Sequence, residues 1–269
     1  DQSPAIGGLM TQLDRTFPTN NCDLCTLSPH LSEGGRQQRI QLQEMTRVEK
    51  VDGKPGAFEV TLTAAPRHID LERCTACGDC REQFPECVNF DPGLDHRAPT
   101  CMRYPQATPH AFSIDLEKCK DVDALVKCCP AKAILPDQKA EEMKLGCGAV
   151  VLATGAEVNR PFEEQFLGYG SWPDVVTSLE YERILSATGP TQGKLVRPSD
   201  GKVPEKIAWI QCVGSRGLSP DEVSYCSGAC CMFALKEAIV TKERFADSIE
   251  TTIFYMDMRT SGKDYEGYY

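Results

Sequence analysis

The sequence predicts an α/β protein that carries a small, cysteine-rich α+β insertion. Three observations support this. Residues 206–255 read strand, loop, helix, strand, which is one βαβ unit. Two β-rich runs, Thr46–Val51 and Phe58–Thr63, flank Asp52-Gly53-Lys54-Pro55-Gly56, a hairpin signal. Between residues 67 and 138 prolines and cysteines crowd together, and no helix longer than two or three turns fits.

Taken in order, residues 1–66 show no clear first element beyond the hairpin, and Ile6-Gly7-Gly8 reads as a tight loop. The insertion follows. From Glu141 the α/β pattern returns, and the apolar run Gly148–Ala153, ending in Thr154-Gly155, reads as a short buried strand with Cys147 as a core residue before it. Arg160 to Pro204 is a Gly- and Pro-rich connection with one helix at Leu179–Ser186. Ile207–Ile210 opens the βαβ unit and Thr251–Tyr255 closes it. Its helix is expected to run from a Ser227 cap to about Arg244, with Met232, Leu235 and Ile239 at core spacing. The segments are therefore 1–66, 67–138, 139–205 and 206–269.

Bulk properties narrow the function. The 269 residues are enough for two domains or for one domain with an insertion, and the net charge of −10 argues against nucleic acid as a partner. No run reaches the roughly 18 apolar residues of a transmembrane segment, and no secretory leader is read at the start. Fifteen cysteines is the outlier. Their odd number and uneven clustering argue against a disulfide framework, which small secreted domains need and a chain of this size does not. Thiolates held for metal in a reducing cytoplasm are the expectation.

Cys74-x-x-Cys77-x-x-Cys80 is the strongest motif. One loop presents three thiolates to the corner of an iron–sulfur cube, and Gly78 relaxes the backbone between them. Zinc sites more often use separated pairs. The two-cluster bacterial pattern is C-x-x-C-x-x-C-x-x-x-C-P, twice, with each fourth cysteine crossing to the other cluster. Here Phe84-Pro85 stands where the first Cys-Pro belongs. The second copy keeps Cys119 and Cys129-Pro130 but has Val122 and Leu125 at its middle positions. The first cluster keeps all four ligands, Cys74, Cys77, Cys80 and Cys129, while the second loses three of its four. A degenerate ferredoxin-like fold with one 4Fe–4S cluster follows. The alternative is a second site rebuilt from Cys87, Cys101, Cys119 and Cys128.

Cys212, Cys226, Cys230 and Cys231 form a second constellation, and spacing alone leaves a cluster and buried core thiols equally open. Cys22-x-x-Cys25 could be a redox pair, a flavin-proximal thiol or plain packing. The four histidines, His30, His68, His96 and His110, show no ligand spacing.

Several stretches together resemble the A subunit of heterodisulfide reductase. They are Phe17-Pro18-Thr19 with Cys22-x-x-Cys25, Tyr104-Pro105-Gln106-Ala107, Arg197-Pro198-Ser199-Asp200-Gly201-Lys202, Cys212-Val213-Gly214-Ser215-Arg216, and Tyr225-Cys226-Ser227 with Cys230-Cys231-Met232. The resemblance runs over nearly the whole chain. It implies a partial thioredoxin-reductase-like flavoprotein with two dinucleotide-type domains and an inserted ferredoxin-like domain. It implies that Cys212, Cys226, Cys230 and Cys231 bind a 4Fe–4S cluster near the flavin. FAD would be lined by Gly7, Gly8, Ala153, Thr154 and Gly155. The family's insert usually holds two clusters, and this one departs from that.

A nucleotide-binding turn needs G-x-G-x-x-G after its strand, so that a helix N-terminus can meet a pyrophosphate. After Ile207–Ile210 the chain offers Cys212-Val213-Gly214-Ser215 instead, so the second domain is expected to hold iron rather than NAD. No G-x-G-x-x-G occurs anywhere in the sequence. By the resemblance, the FAD domain's first strand and glycine motif would precede Asp1, the second domain would be truncated at Tyr269, and the FAD site would be incomplete. The functional expectation is an oxidoreductase subunit that relays electrons between FAD, clusters and partner subunits of the iron–sulfur, hydrogenase or dehydrogenase type. The family also admits flavin-based bifurcation. The sequence shows no acid–base catalytic residues. Two rivals stay open: a pyridine-nucleotide–disulfide oxidoreductase using Cys22 and Cys25, and a structural metal-binding module.

Overall fold

The computed structural model describes residues 1–84, 88–89, 96–97, 100–101, 104–156, 158, 167–217 and 223–269, with backbone only at 88–89, 96–97, 100–101 and Asp247. The helices are α1 (Asp23–Arg36), α2 (Asp79–Gln83), α3 (Val122–Cys128), α4 (Ser178–Leu185), α5 (Cys230–Phe245) and α6 (Tyr265–Tyr268). The strands are β1 (Thr46–Lys54), β2 (Ala57–Ala64), β3 (Val88–Asn89), β4 (His96–Arg97), β5 (Thr100–Cys101), β6 (Ser113–Ile114), β7 (Glu141–Cys147), β8 (Lys206–Ile210) and β9 (Glu250–Phe254). The chain divides into two units, Asp1–Thr11 with Leu27–Ala156, and Gln12–Thr26 with Glu157–Tyr269.

The first unit is built on an antiparallel sheet of order β1-β2-β7. The expected hairpin forms, with a tighter turn than the sequence suggests. Asp52 and Gly53 still pair, with Glu59 and Phe58, and only Pro55-Gly56 turns the chain. Pro55 cannot take a positive φ and Gly56 does, at 90°, which is the type II arrangement. β7 joins the free edge of β2, with Ala64 opposite Glu141 and Leu62 opposite Met143. Residues 65–140 thus leave the sheet on one strand and return on its neighbour. Inside that excursion Ile69, Cys80, Phe112, Ile114, Leu125 and Ile134 form a buried cluster of their own.

Two expectations fail here. Gly148–Ala153 is not a buried strand; Val151 and Leu152 are 87% and 85% exposed. An apolar run becomes a buried strand only where a neighbour pairs its backbone, and among the described residues this run forms no ladder, its tie to the hairpin being the Gly56 N–H donated to the Gly148 carbonyl at 2.8 Å. The ladder instead uses the charged run before it, which zips onto β2 and ends at Cys147 opposite Phe58. Cys147 is consequently half-buried rather than core.

Helix α1 was not legible. It contains Pro29 and ends through Gly34-Gly35, residues that cost about 3 and 1 kcal/mol in a helix interior. It forms nonetheless.

In the second unit β8 and β9 run parallel, Ile207 beside Thr251 and Trp209 beside Ile253, with α5 as the crossover. The βαβ reading therefore holds. Helix α4 starts with a full capping box. The Glu180 N–H donates to Thr177 Oγ1 at 3.2 Å, and the Thr177 N–H donates to Glu180 Oε2 at 2.7 Å. Ser227 does not cap α5. The helix begins three residues later, at Cys230, with Ala229 at its N-cap, and the Ser227 hydroxyl instead accepts the Ala229 N–H at 3.4 Å. Met232 and Leu235 are buried as expected, but Ile239 is half-buried and Val240 takes the core position. Phe17 meets Phe233 and Tyr265 edge-on, at centroid distances of 5.3 and 5.4 Å. Among the described residues no helix is long and apolar enough to cross a membrane.

Candidate metal centres

The first candidate site lies within the excursion between β2 and β7. An Asx-type turn, in which Asp70 Oδ1 accepts from Glu72 N at 2.9 Å and Arg73 N at 3.3 Å, delivers the chain to Cys74. Ala76 and Gly78 both sit at positive φ, 55° and 97°, so the backbone coils between Cys74, Cys77 and Cys80. Cys80 is buried on α2. Cys129 arrives from the far end of the segment as the C-cap of α3, whose own N-cap Asp121 accepts from Ala124 N at 2.9 Å.

These four side chains, and no other described cysteine, line one concavity. Ile69, Phe112, Pro130 and Ile134 are among its walls. The Ala133 N–H points at Cys129 Sγ, 3.4 Å away. Four soft donors, apolar walls and an amide aimed at sulfur suit an iron–sulfur cluster.

Two positions where the ferredoxin pattern would have cysteine are packing positions here. Leu125 is fully buried, and Phe84 packs on the same hydrophobic cluster. Cys128 is held up above the usual thiol range, first by burial and then by the charges of Cys129, Asp79, Cys77 and Cys119. Its thiol lies 3.0 Å from the Leu125 carbonyl. The rebuilt second site rests partly on Cys87, which lies outside the described residues, and on the side chain of Cys101, which does too.

The second candidate site is at the mouth of the βαβ unit. Cys212 lies two residues past the end of β8, at φ 62°, a left-handed backbone that costs a non-glycine residue about a kcal/mol or more. Cys226 Sγ accepts the Gly228 N–H at 3.3 Å. Cys230 and the buried Cys231 open α5. Burial pushes the Cys230 thiol up, as do its neighbours Cys231 and Cys226, while hydrogen bonds from Ser227 and the Cys212 backbone pull it down. All four cysteines are thus gathered around Cys230.

Two residues beside this site were not singled out from sequence. Arg216 Nη1 lies 3.9 Å from Cys212 Sγ and pairs with the carboxylate of Asp257. The Asp257 carbonyl lies 4.0 Å from Cys231 Sγ. Arg216 belongs to the Cys212–Arg216 motif, so a signal existed. Asp257 carried none.

The residues expected to line FAD are placed less informatively. Gly7, at φ 112°, is needed by its own surroundings, because a Cβ there would meet Thr11 Cγ2 at 2.4 Å. Gly8 and Gly155 have positive φ and open space where a Cβ would stand. Ala153, Thr154 and Gly155 are exposed and outside any strand. Among the described residues no group of three or more His, Cys, Asp or Glu is arranged to hold a single metal ion.

No family model matches the chain. Curated relatives do. The chain is 43% identical over 272 residues to the iron-sulfur A subunit of a CoB–CoM heterodisulfide reductase from Methanopyrus kandleri, and 40% identical over 271 residues to the A subunit of an H2:CoB-CoM heterodisulfide,ferredoxin reductase from Methanothermobacter marburgensis. It is 35% identical over 274 residues to the A subunit of a ferredoxin/F420H2-dependent CoB-CoM heterodisulfide reductase from Methanosarcina acetivorans. Each match covers 100% of this chain, but the chain spans only 41%, 41% and 34% of those relatives' lengths.

Proposed function

We propose, from the premise that the chain is a stretch of a heterodisulfide reductase A-type subunit, that it relays electrons through two 4Fe–4S clusters as part of an oxidoreductase complex. The first would be held by Cys74, Cys77, Cys80 and Cys129 in a ferredoxin-like insert at 67–138. The second would be held by Cys212, Cys226, Cys230 and Cys231. The observation that carries the reading is the single concavity lined by the four cysteines of the first set, drawn from positions 55 residues apart.

Bound there, such a cluster supplies one-electron storage with its charge spread over several atoms. The chain's own residues do the rest. Ile69, Phe112 and Ile134 give the sulfurs apolar walls, while Cys77 is exposed. The Ala133 N–H donates toward Cys129, and the Gly228 N–H toward Cys226. Such donors stabilise negative charge on sulfur and so favour the reduced state. At the second site the cysteines occupy the strand-to-helix turn where a dinucleotide's pyrophosphate would sit, which fits iron in place of NAD.

FAD is the third proposed cofactor. Gly8 and Gly155 leave room for a close-approaching ligand, but no G-x-G-x-x-G turn is present to anchor a pyrophosphate. This chain by itself would hold FAD weakly. Other redox subunits, of the iron–sulfur and hydrogenase or dehydrogenase type, are the proposed partners. Anaerobic reconstitution with iron and sulfide tests the reading: about eight irons per chain with the electron-paramagnetic signals of reduced cubes support it, and a colourless zinc protein would overturn it.

A further inference from the structure

Outside both cysteine sets, Cys22 and Cys25 stand together at the start of α1, and both are exposed. Cys22 immediately precedes the helix, and its Sγ accepts the Cys25 N–H at 3.4 Å, as an N-cap side chain does. The Cys22 carbonyl is held as well, accepting from Thr26 N at 3.1 Å and Thr26 Oγ1 at 2.9 Å. Upstream, Cys22 pairs across an antiparallel bridge with Arg15, and Thr16 N donates to Asn21 O at 2.9 Å. The residue between the thiols on the inner side, Asp23, is fully buried. The first turn is thereby fixed with its sulfurs outward.

We propose that Cys22 and Cys25 are a surface redox dithiol, closed to a Cys22–Cys25 disulfide by a small organic disulfide. The sulfurs lie side by side: the Cys25 thiol is pushed up by its hydrogen bond to Cys22 and by the charge of Cys22. The N–H that Cys25 donates to the Cys22 sulfur at the start of α1 stabilises negative charge on that sulfur, which makes Cys22 the attacking sulfur. The Cys22 thiolate attacks one sulfur of R–S–S–R′, breaking that bond and releasing R′S⁻ as a mixed disulfide forms. Cys25 gives its proton to the departing thiolate and attacks the Cys22 sulfur, releasing RS⁻. In sum, two cysteine thiols lose two electrons and two protons, and the organic disulfide gains them as RSH and R′SH. Three-residue spacing at a helix start is compatible with the short Cα separation that a disulfide requires.

The reaction is independent of the cluster assignment, and one experiment reads both. The reconstituted full chain is incubated anaerobically in glutathione–glutathione disulfide buffers, acid-quenched, alkylated and peptide-mapped, with iron measured on the same samples. The expected result is that two thiols vanish together as an internal Cys22–Cys25 disulfide, with iron content constant. Cys25→Ser should stop at a glutathione mixed disulfide on Cys22. Cys22→Ser should slow glutathione incorporation at Cys25 at least tenfold. The proposal is overturned if wild type accumulates separate mixed disulfides on both cysteines, if neither reacts, or if a bound metal protects both. Loss of iron with normal Cys22–Cys25 closure would instead count against the cluster reading alone.

Discussion

The ammonium of Lys236 on α5 lies 2.6 Å from the carboxylate of Glu182 on α4, and the two side chains are 1% and 0% exposed. The approach is a charge contact rather than an aligned hydrogen bond. The ammonium also donates to the Arg15 carbonyl at 2.7 Å, and the other Glu182 oxygen accepts the Asp14 N–H at 2.9 Å. Removing one partner leaves a buried charge alone. Lys236→Met should destabilise the second unit by about 3–5 kcal/mol. Adding Glu182→Gln should return most of that. Denaturant midpoints of the single and double variants read the difference; equal losses in both would refute the coupling.

Asp23 sits in the same buried surroundings. Neither of its carboxylate oxygens has a hydrogen-bond partner among the described residues. Burial, opposed by Lys236 and aided by Glu182, pushes its pKa up to about 6. A carboxyl raised in the fold keeps its proton there longer than in the unfolded chain. Stability from it is therefore full below about pH 4 and falls as pH rises through about 6. Asp23→Asn should remove that fall, so that the variant gains about 2–3 kcal/mol on wild type between pH 4 and 7. Unfolding midpoints across that range check it.

Iron content separates the two cysteine sets. Cys77→Ser and Cys230→Ser should each lower iron by about four per chain, and the double change should bring it near zero. Iron near eight in either single variant would mean that the changed cysteine is not a ligand.

Arg216 and Asp257 should tune the second centre in opposite directions. A cation near Cys212 favours the more negative, reduced state. Arg216→Gln should therefore lower the potential of that centre, and Asp257→Asn should raise it, with iron content unchanged in both. A redox titration followed by electron paramagnetic resonance measures the sign, and a shift in the same direction for both would exclude the electrostatic account.

Parts of this molecule were legible in the sequence, and the failures have physical causes. The hairpin and the βαβ unit were readable because their signals are local: turn residues at fixed offsets and period-2 runs. The apolar character of Leu125 and Phe84, at positions where the ferredoxin pattern would have cysteine, was also readable, and both pack in the hydrophobic cluster of the excursion. Helix α1 was hidden by Pro29 and Gly34-Gly35, whose propensity cost is overridden in the fold. Gly148–Ala153 misled because apolar composition does not by itself supply a pairing partner. Lys236, Glu237 and Thr241 on the buried face of α5 were invisible to a hydrophobic count, since their partners, Glu182, Ser178 and Tyr181 on α4, Trp209 on β8 and the Arg15 carbonyl, are distant in sequence.

The excursion from β2 to β7 closes on itself before it reaches the sheet. Asp70 N donates to Ala133 O at 2.7 Å, Leu135 N to His68 O at 3.0 Å, and Ile69 bridges Ile134. His68 adds a ring nitrogen 3.0 Å from the Leu135 carbonyl. What the sheet receives is two adjacent strand ends already clasped, much as a short hairpin turn would present them. The entropy of closing some seventy residues is met inside the excursion and not by the β2–β7 ladder. Such a clasp makes the segment exchangeable. Loosening inside the segment need not unzip the strands that carry it, and a shorter or longer segment can be held at the same pair of ends.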